Sequence, residues 1–353
     1  MDLDEWRSRI NDLDQRILDL LNQRAAAALR IGELKRQREL PYYVPEREAE
    51  VIARLLTVNP GPFPADGVRA VWREILSASL ALEEPLPVAS LGPPATFTHQ
   101  AAQLRFGSST SLVPGKSIAE IFDAVEKGQA EFGVVPVENS TEGSVNVTLD
   151  RLTDSSLLIT GEVLLEITHH LLSRASELSG IRTVCSHPQA LAQCRQWLAV
   201  NLPEAATVEV SSTAAAAERA AGDPTVAMIA SELAARLYGL PIVRSRIEDN
   251  PFNSTRFLMV GRRAVPPSGK DKTSILCSIK HEVGALAKFL DPFARHGINL
   301  TKIESRPTKR RPWEYVFFVD FEGHQAHPPV QAALAEVRER CPFLKILGSY
   351  PAA

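Results

Sequence analysis

The sequence predicts a multidomain protein with an all-α N-terminal domain, a two-lobed α/β central domain and a ferredoxin-like C-terminal domain. Its 353 residues are too many for one ordinary hydrophobic core. Apolar residues recur at helical spacing as far as residue 84, and strand and helix patterns alternate from residue 88 to 262. After a polar, proline-containing linker, residues 271–353 follow the βαββαβ order. We therefore expect domains at residues 1–84, 88–262 and 271–353.

The composition is that of a soluble globular protein. Hydrophobic residues make up 44% of the chain and charged residues 23%, and the net charge of −3 does not favour a nucleic-acid partner. The N-terminus does not resemble a signal peptide, and no apolar run approaches membrane-spanning length. The cysteines are scattered without metal-site spacing, as is typical of reduced thiols. We expect a cytoplasmic protein without membrane contact.

One arginine interrupts the apolar stripe of a long N-terminal helix. The stripe would continue at Arg24, and its apolar members are Ile10, Leu13, Ile17, Leu20, Ala27, Ile31 and Leu34. A guanidinium there is costly unless it is paired, so Arg24 either sets the helix register or binds an anion inside a bundle. Lys35 lies eleven residues on, within roughly 20° of Arg24 around the helix, whereas Arg7 lies roughly 100° away. Arg7 is therefore expected to reach the site of a partner chain.

Two shorter helices follow the first. Pro41 and Pro45 are expected to end the first helix, and the next helices are predicted at residues 45–56 and 68–82. A helix of about 35 residues is about 50 Å long. Two short helices cannot cover that length, so we expect an intertwined homodimer or a dimer of dimers.

These helices resemble the all-helical chorismate mutases. The resemblance is carried by Arg7, Arg24, Lys35, Arg47, Glu48 and Ser79 at their spacings. It implies that two arginines and a lysine bind the carboxylates and ether oxygen of chorismate, with one arginine supplied by the other subunit. The pericyclic reaction needs no nucleophile or general base, because catalysis comes from holding the compact conformer and stabilising the breaking ether oxygen.

Two positions depart from that family's usual pattern. Val44 stands where many members carry an acidic residue, and Glu83 stands where many carry a glutamine that donates to the ether oxygen. A carboxylate can donate a hydrogen bond only when it is protonated. We therefore expect mutase activity to rise toward acidic pH and Glu83→Gln to flatten the profile.

A polar loop follows a buried-looking strand in the central segment. The strand at 132–137 runs directly into residues 138–144, Glu-Asn-Ser-Thr-Glu-Gly-Ser. In open α/β sheets ligands bind at such carboxyl ends, and Asn, Ser and Thr can hold the carboxylates of a small anion. The alternative is a capped helix N-terminus. Further polar groups are expected at strand ends: Thr96, His99, Ser186, His187, Gln189, Asn253, Thr255 and Arg256.

The alternation in this segment predicts mostly parallel strands. We expect strands at 88–91, 111–113, 132–137, 157–172, 183–185, 207–210, 226–229 and 255–261. Residues 92–102 are expected to form a polar turn followed by a helix, and further helices are expected at 118–127, 145–152, 188–202, 214–221 and 232–238. His169 and His170 would face opposite sides of one apolar strand without a metal-site partner, so we interpret them as structural.

The central segment resembles prephenate dehydratases. Motifs at 135–150, 186–198, 212–221 and 229–261 carry the resemblance, and the Asn253–Phe257 end is the most specific. Near Ala95 the family usually has a glycine. The resemblance implies a fold similar to two-lobed periplasmic binding proteins, with the site in the cleft.

The resemblance also assigns roles to residues of that cleft. It makes Thr255 the proton donor to the leaving hydroxyl of prephenate. His187 and Glu138 are the alternative proton donors, although we favour a stabilising role for both. Thr255→Ala should therefore abolish most dehydratase activity. Carboxylate-binding residues would be Arg256, Asn139, Ser140 and Thr141, with Ser186 and Gln189 closing from the other lobe and Asn253 and Phe257 completing the motif.

The C-terminal segment resembles the ACT regulatory domains of phenylalanine-sensitive dehydratases. The motifs are GAL (Gly284, Ala285, Leu286), ESRP (Glu304, Ser305, Arg306, Pro307) and WEYVFFVDFEG at 313–323. Expected strands lie at 273–279, 298–306, 315–322 and 343–347, and helices at 283–296 and 328–340. The resemblance implies an L-phenylalanine site at both short motifs, near the turn of His296, Asn299 and Leu300. The alternative is a dimerisation module that binds no ligand.

Together these resemblances imply a bifunctional enzyme that converts chorismate to prephenate and then to phenylpyruvate, with feedback inhibition by phenylalanine. Neither reaction needs a metal or redox cofactor, and the sequence lacks a G-x-G-x-x-G after a strand, which argues against fusion to a dehydrogenase. Two alternatives remain open. The helical domain could serve only dimerisation, or the protein could be a small-molecule receptor without turnover.

Overall fold

The computed structural model describes residues 2–38, 40, 43–280, 282–307 and 315–353. Pro41, and Trp313 and Glu314 of the third C-terminal motif, lie outside the described residues. The chain divides into two units, one of Met1–Pro87 with Gln103–Ser111 and one of Val88–Ala102 with Leu112–Ala353. Among the described residues, no helix is both long enough and apolar enough to cross a membrane.

The first unit is built on one long helix. Helix α1 (Leu3–Gln37) begins at a capping box in which Asp2 accepts from the backbone of Asp4 and Glu5, and the Glu5 side chain returns the bond. Helices α2 (Pro45–Val58) and α3 (Ala65–Glu83) follow, and α1 packs against α3. The three helices predicted from the sequence are therefore confirmed.

The apolar stripe of α1 is largely uncovered. Ile10, Leu13, Ile17 and Leu20 are 55%, 45%, 54% and 62% exposed, respectively. Leu34, near the other end of the helix, is also exposed. A stripe of this length is unusual on the surface of a folded monomer, and it is typical of an interface.

The second unit begins with an α/β lobe, lobe 1. Its sheet has the order β2-β1-β3-β11-β5, and the short strand β4 pairs with β3. The strands are β1 (Pro87–Leu91), β2 (Ser111–Gly115), β3 (Phe132–Asn139), β4 (Gly143–Ser144), β5 (Leu158–Glu166) and β11 (Ser254–Gly261). Helices α4 (Phe97–Phe106), α5 (Ile118–Glu126) and α6 (Asn146–Asp154) connect them.

A second α/β lobe, lobe 2, is inserted between β5 and β11. Its sheet has the order β10-β6-β9-β7-β8. The strands are β6 (His170–Ser173), β7 (Thr183–Ser186), β8 (Ala206–Glu209), β9 (Val226–Ala230) and β10 (Ile242–Arg244). The helices are α7 (Pro188–Gln193), α8 (Arg195–Asn201), α9 (Thr213–Gly222) and α10 (Glu232–Tyr238). The predicted two-lobed α/β architecture is confirmed.

The two lobes are joined by two chain crossovers, which correct one sequence prediction. The expected strand at 157–172 is wrong, because the chain leaves β5 after Glu166 and enters β6 of the other sheet at His170. The crossovers hydrogen-bond to each other, from Ile167 N to Asn253 O at 2.8 Å and from Ile247 N to His169 O at 2.8 Å. A continuous apolar run carried the expectation, and such a run does not reveal a change of sheet.

The strand directions also differ from the prediction. Strand β1 is parallel to β3, and β7 is parallel to β8 and β9. Strand β11 is antiparallel to both β3 and β5, and β6 is antiparallel to β9 and β10. The sheets are therefore mixed rather than mostly parallel, because β11 returns from lobe 2 into the centre of the first sheet.

The C-terminal βαββαβ order is confirmed. The antiparallel sheet has the order β13-β14-β12-β15, from strands β12 (Asp271–Ser278), β13 (Leu300–Pro307), β14 (Tyr315–Glu322) and β15 (Phe343–Pro351). Helices α11 (Ala285–Arg295) and α12 (Pro328–Arg340) pack against each other and share a core with the sheet. Strand β15 also packs closely on β5, since a Cβ at Gly348 would lie 2.2 Å from the Ile159 carbonyl oxygen.

Candidate functional sites of the two units

Two cations of α1 face α3 in the first unit. Arg24 Nη1 donates to Ser79 Oγ at 2.6 Å, and Ser79 Oγ donates in turn to Ile75 O at 2.7 Å. Eleven residues along α1, Lys35 Nζ donates to Glu83 Oε2 at 3.3 Å. The shared face expected for Arg24 and Lys35 is therefore observed, and it presents cationic and polar groups side by side against α3.

A glycine allows this close approach. A Cβ at Gly32 would lie 3.0 Å from Glu83 Cγ and 3.2 Å from Glu83 Oε2. Real Cβ atoms rarely approach that closely, so a larger residue would displace the Glu83 side chain. Gly32 is buried within α1 and was not among the residues singled out from the sequence.

The other residues predicted for the mutase site have ion-pair or hydrogen-bond partners of their own. Arg7 is largely exposed and pairs with Asp4 at 3.3 Å, and Arg47 is exposed and pairs with Glu50 at 3.0 Å. Glu48 accepts a hydrogen bond from the Tyr43 hydroxyl at 3.2 Å. Burial raises the pKa of the Glu48 carboxyl, while the charges of Arg105 and Arg73 and the Tyr43 hydroxyl act in the opposite direction.

In the second unit, two adjacent strands bring four polar residues together. Asn139 at the end of β3 stands opposite Thr255 at the start of β11. Asn139 Nδ2 donates to Thr255 Oγ1 at 2.9 Å and to Asn253 Oδ1 at 2.8 Å, and Thr141 Oγ1 donates to the same Asn253 oxygen at 3.1 Å. We call Asn139, Thr141, Asn253 and Thr255 the amide–hydroxyl cluster.

The hydroxyl of Thr255 accepts a hydrogen bond but donates none to the residues that the structure describes. Its oxygen accepts from Asn139, and within the described ranges no residue accepts its hydrogen. The side chain is 8% exposed, so bulk water has little access to it. A hydroxyl that accepts one bond and keeps its proton available can donate that proton to a bound group.

Lobe 2 faces this cluster with two glutamines. Asn253 Nδ2 donates to Gln193 Oε1 at 3.1 Å. Glu142, in the loop after β3, accepts from Gln193 Nε2 at 3.0 Å and from Gln189 Nε2 at 2.7 Å. These bonds join the loop of lobe 1 to helix α7 of lobe 2 across the cleft.

Other predicted residues of the cleft are engaged with the backbone. Ser186, at the end of β7, donates to Ile229 O at 2.7 Å, and His187 Nδ1 accepts from the Gln189 N–H at the start of α7. Ser140 Oγ donates to Phe252 O at 3.1 Å and accepts from Ser254 N at 2.9 Å. Phe257 is buried in the sheet.

The turn before α4 contains a strained residue. Ala95 has φ of 75°, a left-handed conformation that favours glycine, at the position where the resembled family usually has one. Its N–H donates to His99 Nδ1 at 2.9 Å. Burial lowers the pKa of His99, so its imidazole is held as a neutral acceptor.

Arg256 departs from its expected position with the substrate-binding residues. Neighbouring residues of a strand point to opposite faces. Thr255 therefore faces the cleft, whereas Arg256 Nη1 donates to Asp320 of the C-terminal sheet at 2.6 Å and Arg256 Nε donates to Glu162 at 2.7 Å. The guanidinium is thereby committed to a contact between the two sheets.

This contact is a buried network of charges and hydroxyls. Lys272 Nζ also pairs with Glu162 at 2.7 Å, and the Tyr350 hydroxyl accepts from Arg256 Nη2 at 3.0 Å. Burial opposes the charge of Arg256, but Asp320, Tyr350 and Glu162 outweigh it and raise the pKa of this guanidinium. Removing one partner of such a buried pair costs about 3–5 kcal/mol.

Glu138 also lies on this face rather than with Thr255. Lys302 Nζ of β13 lies 2.9 Å from Glu138 Oε2 and donates to Ser144 Oγ at 3.1 Å. Two residues on, the Glu304 carboxylate accepts from Ser144 Oγ. The C-terminal sheet thus contacts the same hairpin, β3–β4, that contains Asn139 and Thr141.

The predicted regulatory residues are spread over two elements. Gly284, with φ of 76°, precedes α11, where Ala285 is half-buried and Leu286 is exposed. Asn299 Nδ2 donates to Glu322 at 3.2 Å, and Leu300 begins β13. On the same strand Ser305 and Pro307 are exposed, whereas Arg306 is buried and pairs with Asp150 of α6 at 2.9 Å. Glu304 and Arg306 thus contact the dehydratase-like segment directly.

Several residues of these sites were not singled out from the sequence as functional. They are Gly32, Glu142, Gln193 and Lys302, and His169, which was interpreted as structural. Gln193 lies within the 186–198 motif, so that motif was the available signal for it. Nothing in the sequence indicates that Lys302 pairs with Glu138, since the two residues lie on strands of different sheets. No cluster of three or more potential metal ligands occurs among the residues searched, which are the described ones.

Comparisons with known proteins cover all parts of the chain. Family models match in order: Chorismate mutase type II at residues 6–84, Prephenate dehydratase at 88–265 and ACT domain at 273–339. The bifunctional chorismate mutase/prephenate dehydratase of Aquifex aeolicus is 50% identical over 356 residues, which cover 100% of this chain and 98% of that protein.

Two solved structures resemble the second unit's region. The prephenate dehydratase of Arthrobacter aurescens in complex with L-Phe is 37% identical with a TM-score of 0.68, over 75% of this chain and 90% of that one. GqqA, described as a novel type of quorum quenching acylase, is 33% identical with a TM-score of 0.68, over 76% of this chain and 98% of that one. With its three matching models and its full-length relative, the chain belongs to the bifunctional chorismate mutase/prephenate dehydratase family with a C-terminal ACT domain.

Proposed function

We propose that this chain rearranges chorismate to prephenate in its helical unit and converts prephenate to phenylpyruvate in its two-lobed domain, with L-phenylalanine as inhibitor. The observation that carries the proposal is the amide–hydroxyl cluster, in which the buried Thr255 keeps a proton available. The paired faces of α1 and α3, with Arg24 and Lys35 on one side, carry the first activity.

In the mutase step, binding and charge do the work. Arg24 and Lys35 bind carboxylate and ether oxygens of chorismate, and they hold the compact conformer in which the new carbon–carbon bond can form. As the ether bond breaks, negative charge grows on its oxygen and is stabilised by Lys35, and Glu83 can add a hydrogen bond only when its carboxyl carries a proton. The contact of Lys35 with Glu83 at 3.3 Å supports a shared role at that oxygen.

In the dehydratase step, Thr255 donates its proton to the leaving hydroxyl of prephenate. The ring carboxylate leaves as carbon dioxide, its bonding electrons complete the aromatic ring, and the carbon–oxygen bond breaks. The leaving hydroxide takes the proton of Thr255 and departs as water, and the threonine oxygen then regains a proton from solvent as the cleft opens. Asn139 stabilises the threonine oxygen through its hydrogen bond, and Asn139 and Asn253 hold the substrate carboxylates.

The enzyme works as a homodimer formed through α1. The exposed apolar stripe of that helix supports a partner copy, since burying it against water is favourable. The exposed Arg7 lies on the same helix and would reach the partner's mutase site. Sedimentation of wild type and of a Leu13→Glu, Ile17→Glu double variant tests this, and a variant that stays dimeric would contradict it.

Phenylalanine binds at the ACT domain, around the GAL turn and strand β13. The contacts of Lys302 and Glu304 with the β3–β4 hairpin support transmission to the cleft. We place the enzyme in the cytoplasm, where its cysteines, all free thiols among the described residues, remain reduced.

One experiment tests the proposed function. Full-length protein is given chorismate alone, and phenylpyruvate is followed with and without phenylalanine. Formation of phenylpyruvate that phenylalanine suppresses is expected. If only added prephenate is converted, the helical unit serves dimerisation alone. If prephenate binds and is left unchanged, the protein is a receptor and the proposal fails.

A further inference from the structure

His169 lies where the chain crosses between the lobes. Its side chain is 2% exposed, and its ring packs edge-on against Phe97 with centroids 5.4 Å apart. Its backbone N–H donates to Glu248 Oε2 at 2.8 Å, and its carbonyl accepts from Ile247 N at 2.8 Å. These contacts fix the ring between the two crossovers and beside the amide–hydroxyl cluster.

A chain of hydrogen bonds runs from backbone groups of lobe 1 to this ring. The N–H groups of Thr141 and Glu142 donate to Asn139 Oδ1 at 2.9 and 3.1 Å. Backbone N–H groups can only donate, so Oδ1 of Asn139 must accept and its Nδ2 must donate. Asn253 therefore accepts from Asn139 through Oδ1 and donates through Nδ2 to Gln193 Oε1.

This order determines the tautomer of His169. Gln193 Oε1 is an acceptor, and His169 Nε2 lies 2.8 Å from it. A hydrogen bond at that distance requires a proton on Nε2. In the neutral imidazole Nδ1 is then an acceptor, and it is buried without a hydrogen-bond partner among the described residues.

The ring is held in its neutral form. Burial lowers the pKa of His169, and the nearby His170 lowers it further. The hydrogen bond to Gln193 and the charge of Glu248 raise this pKa, but burial is the largest effect. Here the ring supplies the donor that ends the hydrogen-bond chain.

We propose that His169 is a positioning residue of the dehydratase site, whose Nε2–H holds the Gln193 amide in the orientation in which its oxygen accepts from Asn253 and its nitrogen donates to Glu142. This inference rests on the proposed function. With its oxygen held by His169 and Asn253, Gln193 can turn only its amide nitrogen toward Glu142. Without the Nε2–H of His169, the Gln193 amide can flip. Its amide nitrogen would then face Asn253 Nδ2, which is also a donor.

The test compares His169→Gln with His169→Phe in the full-length protein. Glutamine keeps an N–H donor near the position of Nε2, while phenylalanine keeps the ring shape and removes the donor. We expect His169→Phe to lower dehydratase kcat/KM about 10- to 100-fold and His169→Gln to stay within about 5-fold of wild type. Mutase activity should be unchanged in both variants.

His170→Phe is the matched control, because His170 is the neighbouring buried histidine and, within the described part of the chain, its side chain accepts only the Arg246 N–H, at 3.3 Å. Its dehydratase activity should stay near wild type. Equal losses in His169→Gln and His169→Phe would point to packing alone and would overturn the inference. Wild-type activity in His169→Phe would also overturn it. Wild-type protein that does not convert prephenate would instead remove the proposed function, and the inference with it.

Discussion

Lys302 of the ACT sheet lies 2.9 Å from Glu138 of strand β3, and Glu138 immediately precedes Asn139 of the cleft. Because side chains alternate along a strand, β3 presents Glu138 to the ACT domain and Asn139 to the amide–hydroxyl cluster. Strand β11 does the same with Arg256 and Thr255. The two strands at the centre of the sheet therefore connect the regulatory domain to the site without any intervening element.

This arrangement predicts that Lys302 transmits inhibition. Lys302→Met keeps the length of the side chain and removes its charge, so the Glu138 contact is lost. We expect the phenylalanine concentration for half-inhibition to rise about tenfold, while dehydratase activity without phenylalanine changes little. Inhibition curves measured on prephenate turnover check this. Lys127→Met, which removes an exposed lysine of lobe 1, is the control and should leave inhibition intact, whereas unchanged inhibition in Lys302→Met would refute the prediction.

Glu83 predicts an acid-dependent mutase. Only a protonated carboxyl can donate to the ether oxygen, so activity should rise as pH falls. The glutamine of Glu83→Gln has an N–H hydrogen-bond donor at every pH. The mutase rate of this variant should therefore not change across the pH range in which the wild-type rate changes. Mutase rates from about pH 4 to 8 check this, with dehydratase rates of the same samples as the folding control. Identical profiles for the two proteins would show that Glu83 is not the donor.

We expect a substitution at Gly32 to lower mutase activity without lowering thermal stability. Gly32→Ala improves helix propensity by up to about 1 kcal/mol, but its Cβ would lie 3.0 Å from Glu83 Cγ. We expect mutase kcat/KM to fall about tenfold as Glu83 is displaced from the ether oxygen, with no loss of thermal stability. Gly222→Ala at the end of α9, where a Cβ meets nothing within 4 Å, is the control. Full mutase activity in Gly32→Ala would contradict the packing argument.

Buried histidines predict a loss of stability on mild acidification. Burial lowers the pKa of His99, His169 and His170 below the ordinary value of 6.5. Below that value the unfolded chain binds more protons than the folded one, so stability is fully present above about pH 6.5 and falls as pH drops toward the folded-state pKa values. Melting temperatures from about pH 7.5 to 5 should decline, and less steeply in His169→Gln. If the melting temperature fell equally steeply with pH in wild type and in His169→Gln, His169 would not contribute to the pH dependence of stability.

The sequence identified the elements better than the contacts between them. Helix α1 and the ACT order could be predicted because their periodicity is local. Asn139 and Thr255 could be named from motifs, but their pairing across β3 and β11 joins residues 116 positions apart. Arg256 was misplaced because a motif does not say which face of its strand a residue occupies. His169 was interpreted as structural because no partner at metal-site spacing accompanies it in the sequence, and its apolar neighbours hide the crossover between the lobes.

The central claim is that the Thr255 hydroxyl supplies the proton for dehydration. Thr255→Val keeps the shape of the side chain and removes the hydroxyl, whereas Thr255→Ser keeps the hydroxyl. The most direct measurement is prephenate turnover by both variants, with mutase activity of the same samples as the internal control. We expect kcat to fall about 10²- to 10⁴-fold in Thr255→Val and less than about tenfold in Thr255→Ser. Thr255→Val with near wild-type kcat would assign the proton to another group and contradict this account.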